Sequence, residues 1–278
     1  MTVSYADFDF VRKMVYKLSA ITLDDSKDYL VEARLAPIVE REGLMSIAEL
    51  VTTLRSGTPR LENDVVAAVA TNETSFFRDV HPFDALRDIV IPGVLAANCG
   101  RLAMWSAAAS TGQEAYSMAM LVREHFPSVP DVTILATDLS ADVLDRARSG
   151  RFSHLEANRG LPARLLVKHF EQVGREWQVR PDVRNMVTFR EFNLARRPFI
   201  GVAQMDVVFL RNVLIYFDTD TRVGVLGEVA RVLRPGGHLF LGSSETTYGL
   251  DDSYERVGVG KTVCYRLTDT NRSGRVGV

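Results

Sequence analysis

Asp138 closes the apolar run VTILATD, downstream of a turn made of small side chains in WSAAASTGQEAYSMAM, residues 105–120. An acidic residue roughly 20–30 positions beyond such a turn sits where ribose hydroxyls are accepted. Small side chains let a ligand approach the backbone, and the helix that follows offers unpaired N–H groups beside Gln113 and Glu114. Only Gly112 remains of a glycine-rich phosphate loop, and Ala107 to Ala109 would crowd a pyrophosphate. The chemistry indicated is binding of a nucleoside without phosphates, unless the alanines merely pack a helix on a sheet. Asp138 has a second reading as a helix cap, although Ser140 stands directly before the next helix. Asn193, after MVTFREF, carries an amide able to read an adenine edge. Arg211–Asn212 interrupts the apolar run VVFLRNVLIYFD. Buried polar groups need partners, and either a ligand or a structural hydrogen bond would serve. TNETSFFRD, residues 71–79, sets two adjacent phenylalanines among hydrogen-bonding side chains and reads as a pocket wall.

These residues need a scaffold. Apolar runs at 102–108 and 132–138 alternate with helical patterns from Gly112 to Glu124 and Ala141 to Arg148, which argues for a parallel sheet with right-handed crossovers. Such sheets bind ligands at the carboxyl ends of their strands. MDVVFLRNVLIYFD, a long helix to Leu233, a turn at RPGG (234–237), the strand HLFLGSS and VCYRL then suggest an antiparallel pair closing one edge. Between Ser149 and Phe192 the regularity lapses, and a small antiparallel β excursion is expected at about 168–192. Ahead of the motifs, residues 1–70 have helical periodicity: Phe8, Val11, Val15 and Leu18 share a face, as do Leu61, Val65, Val66 and Val69. The expected architecture is α/β, with a Rossmann-like, mostly parallel sheet over 71–268, a small all-α N-terminal domain and a disordered tail at 269–278.

Composition removes several alternatives. Thirty-three basic against thirty-five acidic residues give a formal charge of −2, so no global field draws the chain to nucleic acid or anionic lipid. Cys99 and Cys264 have no metal-ligand spacing, and no metal site is expected. Neither a signal peptide nor a bilayer-length apolar run is present, and a cytoplasmic location is expected.

TNETSFFRD, WSAAASTGQEAYS, ATDLSADVLDRARSGRF, FNL, FLRNVLIYF and RPGGHLFLGSSE resemble, in order and spacing, the bacterial chemotaxis receptor methyltransferases, the CheR family. The resemblance covers nearly the whole chain. It implies that S-adenosyl-L-methionine is the methyl donor and that the side-chain carboxylates of chemoreceptor glutamates are esterified, leaving S-adenosyl-L-homocysteine. Carried over by position, the family's cofactor contacts fall on Asn72, Thr74, Arg78, Glu114, Asp138, Asn193, Leu194, Arg211 and Asn212. Arg78 suits the methionyl carboxylate, Glu114 the methionyl end and Asp138 the ribose. Tyr216 matches a family tyrosine near methyl transfer and would align the accepting carboxylate.

The resemblance also sets expectations for partners. The helical domain would help hold the receptor's methylation helix, the protein would act as a monomer, and nothing would insert into the membrane. Lys27, Arg34 and Arg41 fall on one stripe of a continuous helix. Pro37 would kink or end that helix, and neighbouring acids make a solvated face an equal reading. Some members dock a receptor C-terminal peptide on the inserted subdomain. Here HFEQVGREWQVRPDVRN passes between strands through only Gly174, Arg175 and Glu176, so independence from that peptide is expected, with Trp177 and Arg180 as an alternative docking edge. The family's arginine two residues before the tryptophan of WSA is replaced by Ala103, with Arg101 two residues further back on the same strand face.

Overall fold

In the computed structural model, residues 3–24, 28–98 and 100–268 are described. Four helices open the chain: α1 (Tyr5–Ser19), α2 (Asp28–Arg41), α3 (Ile47–Arg55) and α4 (Pro59–Val69). Ser4 and Ser46 start two of them by accepting hydrogen bonds from the N–H groups of Asp7 and Glu49. The apolar faces close on a core of their own that includes Phe8, Val11, Val15, Leu35, Leu50 and Val65. Leu18 packs at the margin of this core rather than within it. Pro37 neither ends nor divides α2, which runs on to Arg41. Arg34 and Arg41 do not form a free basic stripe. Arg34 donates to the carbonyls of Val69 and Ala70, and Arg41 pairs with Glu42 and Asp64. Lys27 and the tail at 269–278 lie outside the described residues.

After the strap 71–79 come α5 (His81–Ala85), a π-helical turn (Leu86–Val90) and α6 (Ile91–Ala97). The α/β alternation then runs β1 (Arg101–Ala107), α7 (Gln113–His125), β2 (Asp131–Asp138) and α8 (Ala141–Ser149). After the excursion it resumes with β6 (Val187–Glu191), β7 (Met205–Leu210), a 3-10 turn (Leu214–Tyr216), α12 (Thr219–Val232), β8 (Leu233–Leu241), β9 (Tyr254–Val259) and β10 (Thr262–Leu267). The large sheet has the order β6-β2-β1-β7-β8-β10-β9, parallel from β6 to β8, with β10 antiparallel to both its neighbours. The apolar runs are therefore strands buried on both faces, and the antiparallel edge contains one strand, β9, that sequence periodicity did not separate. RPGG at 234–237 lies within β8 as a bulge. The register jumps from Met205↔Leu233 to Val207↔His238, and a Cβ on Gly237 would come within 2.8 Å of the Arg234 carbonyl oxygen.

The excursion holds β3 (Arg151–Ser153), α9 (His154–Asn158), α10 (Ala163–His169), β4 (Phe170–Val173), β5 (Glu176–Val179) and α11 (Pro181–Arg184). Its small sheet has the order β3-β5-β4 and is wholly antiparallel. It differs from the span 168–192 at both ends. Arg151–Ser153 joins from upstream, and Val187–Glu191 pairs with β2 in the large sheet. Trp177 lies on the central strand β5, covered on both sides, so it offers no edge for an added strand. Gly174 and Arg175 alone form the hairpin turn, with φ +62° at Gly174.

Candidate active site

The motifs converge because all but the strap 71–79 end strands at the same edge of the sheet, and the strap crosses that edge. Asn72, Thr74, Arg78, Glu114, Asp138, Asn193, Leu194, Arg211, Asn212 and Tyr216 all line one cleft there. It encloses about 900 Å³, its open mouth included. Gly112 (φ +93°) starts α7 where a Cβ would press within 3.1 Å of Ala147 and 3.2 Å of Phe189. Only glycine turns the chain so tightly from β1 into that helix.

Asp138 is buried on the cleft wall. Its Oδ2 accepts the Ser110 N–H at 2.8 Å and its Oδ1 the Ser140 N–H at 3.1 Å, so each oxygen keeps a lone pair for a ligand hydroxyl. Burial raises the Asp138 carboxyl above its ordinary range, against the lowering effect of those N–H groups. Capping of α8 falls to Ser140, whose hydroxyl accepts the Val143 N–H.

Arg211 holds the other end of the cleft together. Its side chain is 1% exposed, with Nη2 2.6 Å from Asp79 and Nη1 3.1 Å from Glu114. Nη2 also donates to the Arg78 carbonyl at 3.0 Å. Phe83 and Phe209 lie each 6.0 Å from the guanidinium. The guanidinium is thus spent on the strap and on α7, as a strut. Two carboxylates against one cation leave a surplus negative charge beside Arg78, an arrangement that suits the ammonium and carboxylate of an amino acid. Arg211 Nε and Asn212 Oδ1 are buried without a hydrogen-bond partner. Unsatisfied atoms in a cleft wall are where a ligand is accommodated.

Asn193 lines the cleft, and its amide also makes two hydrogen bonds to protein. Nδ2 donates to the Leu18 carbonyl at 2.7 Å, and Oδ1 accepts the Ala195 N–H at 2.9 Å. Arg101 lies at the amino end of β1, exposed and paired with Asp131, so it does not replace the arginine missing at Ala103. None of the five histidines lines the cleft.

Several residues of the site were not anticipated. Ser110 donates its hydroxyl to the Asn72 carbonyl. Glu245 accepts the N–H groups of Asn212 and Gly242, both at 2.7 Å. Ser19, the last residue of α1, and Ile21, just after it, close one wall. Among the described residues, seven non-glycine positions have positive φ: Ala20, Phe77, Asp79, Val80, Ala108, Ser110 and Asn212. All lie in segments bordering this cleft, and such conformations persist only where surrounding contacts enforce them. Asp79 belongs to a quoted motif and Glu245 to GSSE, whereas Ser19 and Ile21 carry no sequence signal.

A sheet of this order, with a cleft at its carboxyl edge, has the architecture of the class I S-adenosylmethionine-dependent methyltransferases, and the family models agree. Residues 6–69 match the CheR methyltransferase all-alpha domain, and residues 72–263 match the CheR methyltransferase SAM binding domain. The chain belongs to the CheR methyltransferase family. It is 39% identical over 273 residues to chemotaxis protein methyltransferase 1 of Pseudomonas aeruginosa, covering 96% of this chain and 99% of that one. Against chemotaxis protein methyltransferase 1 of Vibrio cholerae the identity is also 39% over 273 residues, with 96% and 98% covered. The chemotaxis protein methyltransferase of Borreliella burgdorferi is 32% identical over 246 residues, with 85% and 87% covered. Among the described residues no helix is long and apolar enough to cross a membrane, and no group of three or more His, Cys, Asp or Glu could hold a metal.

Proposed function

We propose that the protein esterifies glutamate side chains on the cytoplasmic methylation helices of chemoreceptors. The observation that carries this reading is the convergence of ten family-matched residues on one cleft. S-adenosylmethionine, when bound, supplies an electrophilic methyl group on a sulfonium. Asp138 holds the ribose through its free lone pairs, Arg78 the methionyl carboxylate and Glu114 the methionyl ammonium. The unpartnered Oδ1 of Asn212 accepts a further donor from the same ligand. A glutamate with pKa about 4.3 is already ionised at neutral pH, so no general base is required. That fits a cleft without histidine.

The reaction neutralises charge, because an anion attacks a cationic centre. Strong cationic contacts to the accepting carboxylate would stabilise the ground state more than the transition state. The protein's contribution is orientation and exclusion of water. Tyr216 serves this by offering one neutral O–H donor; its hydroxyl has no hydrogen bond to protein among the described residues, while its carbonyl is fixed by Thr22. The helical domain, residues 1–70, contributes to holding the receptor helix, and the protein works as a cytoplasmic monomer. The test is transfer of label from radiolabelled cofactor to bacterial membranes. Mild alkali should release the label as volatile methanol; an alkali-stable label would mean methylation at nitrogen and would end this reading.

A further inference from the structure

A second recess, of about 1150 Å³ with its open mouth included, opens at the same carboxyl edge of the sheet, beyond β7, β8 and β10. It shares Arg211 with the cofactor cleft, so the two are separated by the Arg211–Asp79 ion pair alone at that point. Its acids are already engaged. Asp79 is bound by Arg211, and both oxygens of Glu245 accept backbone N–H groups of Asn212, Gly242 and Ile215. Its cations are not. Arg256, on β9 opposite Tyr265, and Lys261, in the β9–β10 turn, line the recess, and their side chains have no ion pair or hydrogen bond among the described residues. His81, a third lining residue, lies 3.7 Å from Asp84 on its outer rim. Hydroxyls of Ser243, Thr246 and Thr262 complete the lining. In a chain of net charge −2, this is a local cationic recess next to the site of transfer.

We infer that this recess is an acceptor subsite in which Arg256 and Lys261 hold a second acidic side chain of the receptor segment while a first one is esterified. The inference rests on the receptor-methylating reading above. Two features favour that occupant over an adventitious anion. The recess is continuous with the transfer cleft through Arg211, and the substrate of this reading is itself a glutamate-bearing segment. The cations stand apart from the reacting carboxylate, so they add to binding and selection without stabilising the nucleophile itself. A receptor segment with a single isolated glutamate would therefore be a poorer substrate than one with acidic neighbours.

The experiment measures the KM for a receptor cytoplasmic fragment at two salt concentrations, using full-length wild type, R256E/K261E and R256Q/K261Q. Charge reversal should raise KM roughly tenfold at low salt, neutralisation less, with kcat nearly unchanged. The wild-type KM should climb with salt while that of R256Q/K261Q stays nearly flat. Calorimetric affinity for S-adenosylhomocysteine should be the same in all three, which separates the effect from misfolding. If the reversal variant loses that affinity, the neutral pair decides. Variants with wild-type KM and wild-type salt dependence would overturn the subsite. Inorganic phosphate that binds in calorimetry but does not compete with the fragment would mean an anion site only, and would overturn it too. Wild-type protein that labels no receptor at all overturns the functional reading and the subsite together, a result distinguishable from wild-type turnover with indifferent variants.

Discussion

Asp138 joins two effects that pull against each other. Its burial disfavours the ionised form, yet ionised oxygens with spare lone pairs are what ribose hydroxyls require. Asp138→Ala should weaken calorimetric affinity for the cofactor by at least ~1 kcal/mol, the scale of a lost hydrogen bond to a charged group. Unchanged affinity would place the nucleoside elsewhere. The same residue sets a pH dependence in the absence of ligand. A carboxyl with a higher pKa in the folded than in the unfolded chain binds more protons when folded. Its stabilising contribution is then fully present below the ordinary aspartate value and lost as pH rises through the folded value. Asp138→Asn removes that titration. Relative to wild type, the variant should gain stability as pH rises above about 4, the ordinary aspartate value, read as urea midpoints. Midpoints that shift in parallel at every pH would show that Asp138 does not titrate abnormally. At this scale much of the site was legible. Small residues, polar interruptions and strand-end acids have chemical reasons visible in a linear string. The amide of Asn193 also meets Leu18, 175 positions away, and no local pattern encodes that meeting.

The strap 71–79 is an element without regular secondary structure, held from several sides. Ser117 accepts the Phe77 N–H, Arg159 pairs with Glu73, and Phe76 sits in an aromatic nest with Phe152 and Phe170 at 5.0 and 5.6 Å. Gly160 makes this possible, since a Cβ there would stand 2.1 Å from the Phe76 carbonyl oxygen, and its φ is +88°. Gly160→Ala should cost about 2–3 kcal/mol, the range for overpacking with backbone displacement, and should weaken cofactor binding. Gly43→Ala has a similar φ of +68° but open space around it, and so isolates the backbone contribution. Equal melting temperatures for the two variants would show that the contact with Phe76 carries no weight. The β4–β5 hairpin makes a different prediction. A two-residue turn leaves little loop to grip a peptide, so receptors lacking their C-terminal tail should be methylated at undiminished rate. Saturable binding of tail peptides to the subdomain would contradict this. Long apolar strands were legible at the element scale, whereas β3, three residues long, is too short for periodicity to register. The bulge at 234–237 keeps the composition of a turn while remaining inside a strand.

At the scale of the whole molecule, two cores meet along a seam. Thr22 donates both its N–H and its hydroxyl to the Tyr216 carbonyl, at 2.8 and 2.9 Å, and Ile21 bridges Phe217. Tyr16 donates to Asp218 at 2.5 Å, and Asn193 holds Leu18. The helical domain therefore supplies a wall of the cleft. Amide exchange at Ile21 and Thr22 should slow when S-adenosylhomocysteine is added, because ligand binding opposes opening of the seam. Exchange that ignores the ligand would separate this domain from the site.

That seam also bears on recombination. On the proposed role of the helical domain, exchanging it between relatives would redirect the enzyme to another receptor, and the helix end at Val69 offers a splice point. The mechanical joint lies elsewhere, at Tyr16 and Leu18–Thr22, fifty residues upstream by rough count along the chain. A graft that brings in foreign residues there inherits a mismatched wall for its own methyl donor. Chimeras should keep these positions from the recipient and vary only the outward faces of α2 and α3.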